Sequence, residues 1–278
     1  MKRFLFSASI IMAAVLLVGC ELFLPTHKPI PCIRLSTTDR DVRERTLLVL
    51  LPGRGSRMGD YVEEGFFRLA REAKLPLDVV SVDAHFGYYM RRTLITRLTE
   101  DFVGPARQKG YRQIWILGIS MGGLGALLYV QQHPKLVDGL ILLAPFLGDQ
   151  DLIDKIVASG GVAAWKPKEP VKKSDYQRQL WRWLKKYVDR QPGLPDIFIG
   201  WGRSDRFRKA NALLAGLLPP TRQFQAPGGH TYGPWRQLFR RILAAPELRQ
   251  RMIAPAGAPR SAAPPPNAPA RKKQRRTP

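Results

Sequence analysis

Gln113-Ile114-Trp115-Ile116-Leu117-Gly118-Ile119-Ser120-Met121-Gly122-Gly123 is the stretch that decides the fold. The apolar run 114–117 reads as a buried strand. Residues 118–122 fit Gly-x-Ser-x-Gly, and a helical stretch over 124–132 follows. Strand, sharp turn with a central Ser, then helix is the pattern of a nucleophile elbow. Such a turn forces strained backbone angles on the Ser, and flanking glycines let strand and helix approach without a Cβ clash. The Ser oxygen then sits at a helix N-terminus, where the dipole favours developing negative charge.

Outward from this elbow, strands and helices alternate. Strands are expected at 46–51, 77–82, 113–117, 139–143, 196–200 and 222–226, and helices at 61–74, 92–109, 124–132, 207–217 and 234–243. Most strands are continuous apolar runs, as in a parallel sheet covered on both faces. The expectation is an α/β domain over 46–254, with a mostly parallel sheet of about six strands flanked by helices. One connection, 146–195, is far longer than usual in such units. There Ser174 with Gln177 reads as a capping box, followed by an apolar stripe of Tyr176, Leu180, Trp183, Leu184 and Tyr187. This insertion is a candidate lid; the stripe itself packs on the body in the simpler reading. Trp165 and Trp181 are candidates to line a cleft.

A Ser hydroxyl needs a base within hydrogen-bond reach, and the base needs an orienting acid. Of the four His, His27 lies in the lead-in, His133 ends a helix and His85 follows the second expected strand. His230 lies in Pro227-Gly228-Gly229-His230, a loop between the last expected strand and helix, and is the expected base. Asp205 follows the strand at 196–200 and is the expected acid, with Asp149, Asp151 and Asp83 as rivals. Sites in parallel sheets form at the carboxyl ends of strands. The oxyanion donors expected are the backbone N–H of Met121 and, from the loop after the first strand, of Arg54, with Gly55 second.

Together these residues resemble the α/β-hydrolase superfamily over most of 46–245. The resemblance implies Ser120 as nucleophile, Asp205 as acid, His230 as base, and Met121 and Arg54 as oxyanion donors. The Pro-Gly-Gly-His-Thr segment is similar to the histidine region of the esterase D and ferulic-esterase branch. Two departures stand out: two early strands of the full fold are not evident before Thr46, and Pro52 replaces a His common in lipases.

The ends carry a different message. Met1-Lys2-Arg3 precedes an apolar run ending in Leu17-Val18-Gly19-Cys20, a secretory signal over 1–19 that is too short to span a membrane. Its ending resembles the lipobox of bacterial lipoproteins. That resemblance implies a diacylated Cys20 and a lipid-anchored chain in the cell envelope; Glu21 in place of Asp points to the outer membrane, facing the periplasm. Residues 20–45 read as tether and lead-in, and the Pro/Ala-rich basic stretch 255–278 as a disordered tail. With Cys20 lipidated, Cys32 has no disulfide partner.

The formal net charge is +23; the signal carries two of these charges and the tail six, leaving +15 in the body. At an envelope this favours anionic surfaces over nucleic acid, and no nucleic-acid partner is expected. No zinc-type ligand spacing appears, and Gly53-Arg54-Gly55 lacks the third glycine of a dinucleotide fingerprint, so neither metal nor cofactor is expected. The expected activity is hydrolysis of a small-molecule or lipid carboxylic ester, or thioester, through an acyl-enzyme. An acyltransferase with the same triad and a non-catalytic binding platform are the alternatives.

Overall fold

The computed structural model describes residues 24–167, 170–172, 174–189 and 191–253. Residues 1–23 and 254–278, where the signal, the lipidated Cys20 and the basic tail are expected, lie outside them.

Among the described residues seven strands form one sheet: β1 (Cys32–Ser36), β2 (Thr46–Leu51), β3 (Leu77–Val82), β4 (Gln113–Ile119), β5 (Gly139–Leu143), β6 (Asp196–Gly202) and β7 (Gln223–Ala226), in the order β1-β3-β2-β4-β5-β6-β7. All neighbouring pairs are parallel except β1 with β3. The five central strands are buried almost throughout, as continuous apolar runs require, because helices cover both faces. The edge strands β1 and β7 are only partly buried.

β1 is the strand that the reading of 20–45 as a lead-in missed. It holds only five residues, and its partial burial leaves little hydrophobic signal. The segment before it is also docked: Ile30 is buried, its N–H bonds to Asp101, and the His27 N–H donates to the Tyr88 hydroxyl.

Two expected helices are broken. The stretch 61–74 divides into Asp60–Glu63 and Phe66–Glu72 at Gly65, which takes a left-handed φ of 76°. The stretch 92–109 begins with Leu94–Leu98, widens into a π turn over Thr99–Val103 and resumes over Gly104–Gln108, with Pro105, which has no N–H to donate, in its first turn. The other three appear as Met121–Gln132, Arg208–Ala215 and Tyr232–Ala244.

Among its described residues the insertion carries two α-helices, Gln150–Ala158 and Tyr176–Leu184, the second running on into a 3-10 turn over Lys185–Tyr187. The second is capped by Asp175, not Ser174: its carboxylate accepts from the Arg178 N–H, while Gln177 turns away to bond Asp149. Leu180, Trp181, Trp183 and Leu184 are buried, whereas Tyr176 is largely exposed. Trp181 is thus part of the packed face, and its indole N–H donates to the Leu147 carbonyl at 2.7 Å. Gln131, on the helix after the elbow, bonds the Gln179 carbonyl. The insertion therefore lies packed on the body.

Sheet register sets the site. Leu51 pairs with Gly118, and Gly202 pairs with Ala226. The loops after β2, β4, β6 and β7 consequently leave the sheet at the same edge.

Candidate active site

Ser120 is the turn residue between β4 and the helix Met121–Gln132. Its φ of 53° and ψ of −114° are strained for a residue with a side chain, a cost of about 1–3 kcal/mol. The glycines around it are demanded by contact. A β-carbon at Gly118 would lie 2.3 Å from the Gly122 carbonyl oxygen, and one at Gly122 would lie 2.1 Å from that of Leu51. At Gly123 it would meet Pro145 at 2.6 Å. The strain is held by the sheet: the Ser120 N–H donates to the Leu143 carbonyl, and the Ser120 carbonyl accepts from Phe146.

His230 comes from the loop after β7. Its Nε2 lies 2.9 Å from Ser120 Oγ and its Nδ1 lies 2.9 Å from Asp205 Oδ2. A carboxylate only accepts, so Nδ1 carries the proton and Nε2 is free to accept from the hydroxyl. Asp205 is fully buried, and its other oxygen accepts from the Phe207 N–H at 2.8 Å. The acid loop and the His loop touch backbone to backbone, since Ser204 N–H donates to the Gly228 carbonyl and a β-carbon at Gly202 would meet that oxygen at 2.3 Å. Phe207 and Trp235 pack edge-on against the imidazole, with ring centres 5.0 and 4.9 Å away. The ring is thus fixed by two polar and two apolar contacts.

The rival acids are otherwise engaged. Asp83 is gripped by the Arg57 guanidinium through contacts of 2.6 and 2.5 Å. Burial raises the Asp83 pKa, but the hydrogen bonds and charge of Arg57 outweigh that and leave it below the usual carboxylate range. Asp149 bonds Gln177, and Asp151 is exposed on its helix. Of the other His, His85 is buried and caps the helix Phe86–Met90, accepting from the Gly87 N–H.

The loop after β2 lies against the elbow, where a β-carbon at Gly53 would sit 3.5 Å from Ser120 Cβ. Tyr232 ties this loop to the His loop, its hydroxyl reaching Ser56 Oγ at 3.0 Å and Asp60 at 3.3 Å. Burial, opposed by the Ser56 hydrogen bond and reinforced by the Asp60 charge, pushes the Tyr232 hydroxyl up to about 12, so it remains a donor. Met121 opens its helix, so its N–H has no acceptor within that helix. A cavity of about 350 Å³ borders Ser120 and His230, and Arg54, Arg206 and Trp235 form part of its wall.

The structure therefore brings Ser120, His230 and Asp205 together, with Met121 and Arg54 beside them. Trp165 and Trp181 are not in the cavity wall; both are buried in the core, and Trp235 takes the aromatic position. Tyr88 and Tyr89 are structural, the latter donating to the Met121 carbonyl at 3.2 Å. Sequence reasoning missed Arg206 and Tyr232. Arg206 adjoins Asp205, but its direction depends on how that loop turns.

Residues 92–192 match the family described as serine aminopeptidase, S33 (Hydrolase_4). That span includes Ser120 and stops short of Asp205 and His230. No curated protein matches the chain by sequence. Among solved structures, the chain is similar to S-formylglutathione hydrolase (FrmB) from Staphylococcus aureus, with TM-score 0.52 and 18% identity, over 83% of this chain and 100% of that one. It is similar to Est1E from Butyrivibrio proteoclasticus, with TM-score 0.53 and 16% identity, over 80% and 94%. A ferulic acid esterase gives TM-score 0.52 and 15% identity, over 80% and 98%. The chain has the α/β-hydrolase fold.

Proposed function

We propose that this α/β-hydrolase-fold protein is a serine hydrolase that cleaves carboxylic esters through an acyl-enzyme. The observation that carries the proposal is the continuous relay from Ser120 Oγ through His230 to the buried Asp205, with both links at 2.9 Å. A ferulic acid esterase and an S-formylglutathione hydrolase among the structures of similar fold support the same chemistry.

In this reading His230 Nε2 takes the Ser120 proton as Oγ attacks the ester carbonyl. The backbone N–H groups of Met121 and Arg54 stabilise the oxyanion of the tetrahedral intermediate, a contribution of about 3–4 kcal/mol per donor in comparable sites. Collapse expels the alcohol, which His230 protonates, and leaves the acyl group on Ser120. His230 then deprotonates a water that attacks the acyl-enzyme, and it returns that proton to Ser120 Oγ as the Oγ–acyl bond breaks and the acid departs. Asp205 holds the imidazole in the tautomer this requires and stabilises it when charged.

The test is labelling with a fluorophosphonate probe, mapped to its peptide, with hydrolysis of para-nitrophenyl esters of rising chain length. Wild type is labelled at Ser120 and turns over an ester; Ser120→Ala does neither. Activity persisting in Ser120→Ala removes Ser120 from the mechanism.

The anchoring of the chain in a bacterial envelope through an acylated Cys20 is a second part of the proposal, supported by the sequence at 1–20. Incorporation of an alkyne fatty acid in cells, lost in Cys20→Ser, tests it.

A further inference from the structure

We infer that the ester this site takes carries an anionic group, a carboxylate or phosphate, held between the guanidinium groups of Arg54 and Arg206. The inference rests on the serine-hydrolase reading and names the substrate class of that same site.

The two arginines reach the cavity from separate loops. Arg54 follows β2, its backbone N–H being one of the proposed oxyanion donors, and Arg206 follows Asp205 after the end of β6. Each guanidinium lies over an aromatic ring: Arg54 over Phe86 at 4.8 Å, and Arg206 over Phe207 at 4.9 Å. Stacking of this kind restricts a long side chain without consuming its hydrogen-bond donors. Phe207 is also the ring that packs on His230, so Arg206 is registered to the imidazole through a shared neighbour.

Both charges are exposed, and neither is paired with a carboxylate among the described residues. Two other arginines close to the site are engaged. Arg57 is bound to Asp83, and Arg236 to Glu64. The cavity wall holds no Asp or Glu; Asp205, the nearest in sequence to Arg206, is buried behind His230. Two open guanidiniums on a small wall attract anionic ligands and repel cationic ones. A planar fork of N–H donors also matches carboxylate and phosphate oxygens in pairs. The cavity, of about 350 Å³, has room for a short ester bearing one such group.

The experiment compares esters matched except for charge. para-Acetoxybenzoate against its methyl ester places the charge on the leaving group. The monoester of adipic acid with para-nitrophenol, against para-nitrophenyl hexanoate, places it on the acyl side. Wild type favours the anionic member of at least one pair by about tenfold or more in kcat/KM, and the pair identifies the side. The preference shrinks as salt rises, because exposed charges are screened. In R54Q/R206Q the anionic-to-neutral ratio falls to near one, and in R206E it inverts. A readout without turnover uses S120A: calorimetry detects para-hydroxybenzoate binding and weaker or no binding of its methyl ester. Ser120-dependent cleavage of both pairs with no charge preference, or a preference that survives R54Q/R206Q, overturns the inference and leaves the hydrolase reading standing. Failure of every ester together with equal binding of the two phenols to S120A overturns both.

Discussion

The Asp205 carboxylate is fully buried, yet both its oxygens are used: Oδ2 lies 2.9 Å from His230 Nδ1, and Oδ1 accepts from the Phe207 N–H at 2.8 Å. Asp205→Asn keeps the shape but presents an amide where the imidazole needs an acceptor. We expect kcat to fall by about 10³–10⁴ with KM little changed, since the wrong tautomer is stabilised. Combining Asp205→Asn with Ser120→Ala adds little to the loss from Ser120→Ala alone, because the three groups act as a unit. Steady-state kinetics on the single and double variants checks both statements.

The elbow glycines are a packing requirement. Gly122→Ala puts a β-carbon 2.1 Å from the Leu51 carbonyl oxygen, where backbone on both sides must shift. Its expected cost is at least about 3 kcal/mol, at the upper end for overpacked sites. Gly233→Ala is the contrast: its β-carbon meets nothing within 4 Å, and it lies in the helix Tyr232–Ala244. That variant gains about 0.5 kcal/mol by restricting the unfolded chain. Chemical denaturation of the two, side by side, measures the difference.

Trp181 separates a lid from a wall. It is fully buried and donates to the Leu147 carbonyl. Trp181→Ala is expected to cost about 3–5 kcal/mol of stability through the cavity it leaves. Trp235→Ala is expected instead to raise KM, because Trp235 borders the cavity and packs on His230. If Trp181→Phe, which retains most of the volume, altered KM while Trp235→Phe did not, the insertion would belong to the binding site after all.

Part of the acid sensitivity follows from two ion-paired carboxylates. Burial raises the pKa of Asp83 and of Glu247, but Arg57 in the first case, and Arg222 with Thr221 in the second, bring each below its ordinary range. The unfolded chain then binds more protons than the native one across the interval between the two pKa values. The stabilisation is complete above the unfolded value, near about 4, and is lost as pH falls through the native one. Urea midpoints should stay level from these groups between about pH 5 and 8 and drop below about pH 4. Asp83→Asn should flatten part of that drop.

Tyr232 spans the gap between the His loop and the loop after β2. Tyr232→Phe removes that bridge, at about 1 kcal/mol for the hydrogen bond. The expected kinetic effect is a several-fold lower kcat, as both loops carry groups of the proposed mechanism. A circular dichroism melt separates this from general unfolding.

What could be read from the chain was whatever depends on neighbours in sequence. The apolar runs of β2 to β6 are strands whose side chains are covered almost throughout, and that coverage is written as nearly continuous hydrophobicity. The elbow was legible because strand, glycines, Ser and helix are consecutive. His230 was legible by elimination among the four His and by its loop, and Asp205 only by its place after a strand, with Asp83, Asp149 and Asp151 left as rivals; 110 residues separate His230 from Ser120. Other features follow from tertiary structure alone. β1 is a strand because β3 offers it an open edge, not because of its own five residues. Trp235 rather than Trp165 or Trp181 borders the cavity because burial depends on which helix lies behind each ring. The meeting of Arg54 and Arg206 at one opening needs β2 and β6 to end at the same edge of the sheet, a relation between distant segments that no local pattern encodes.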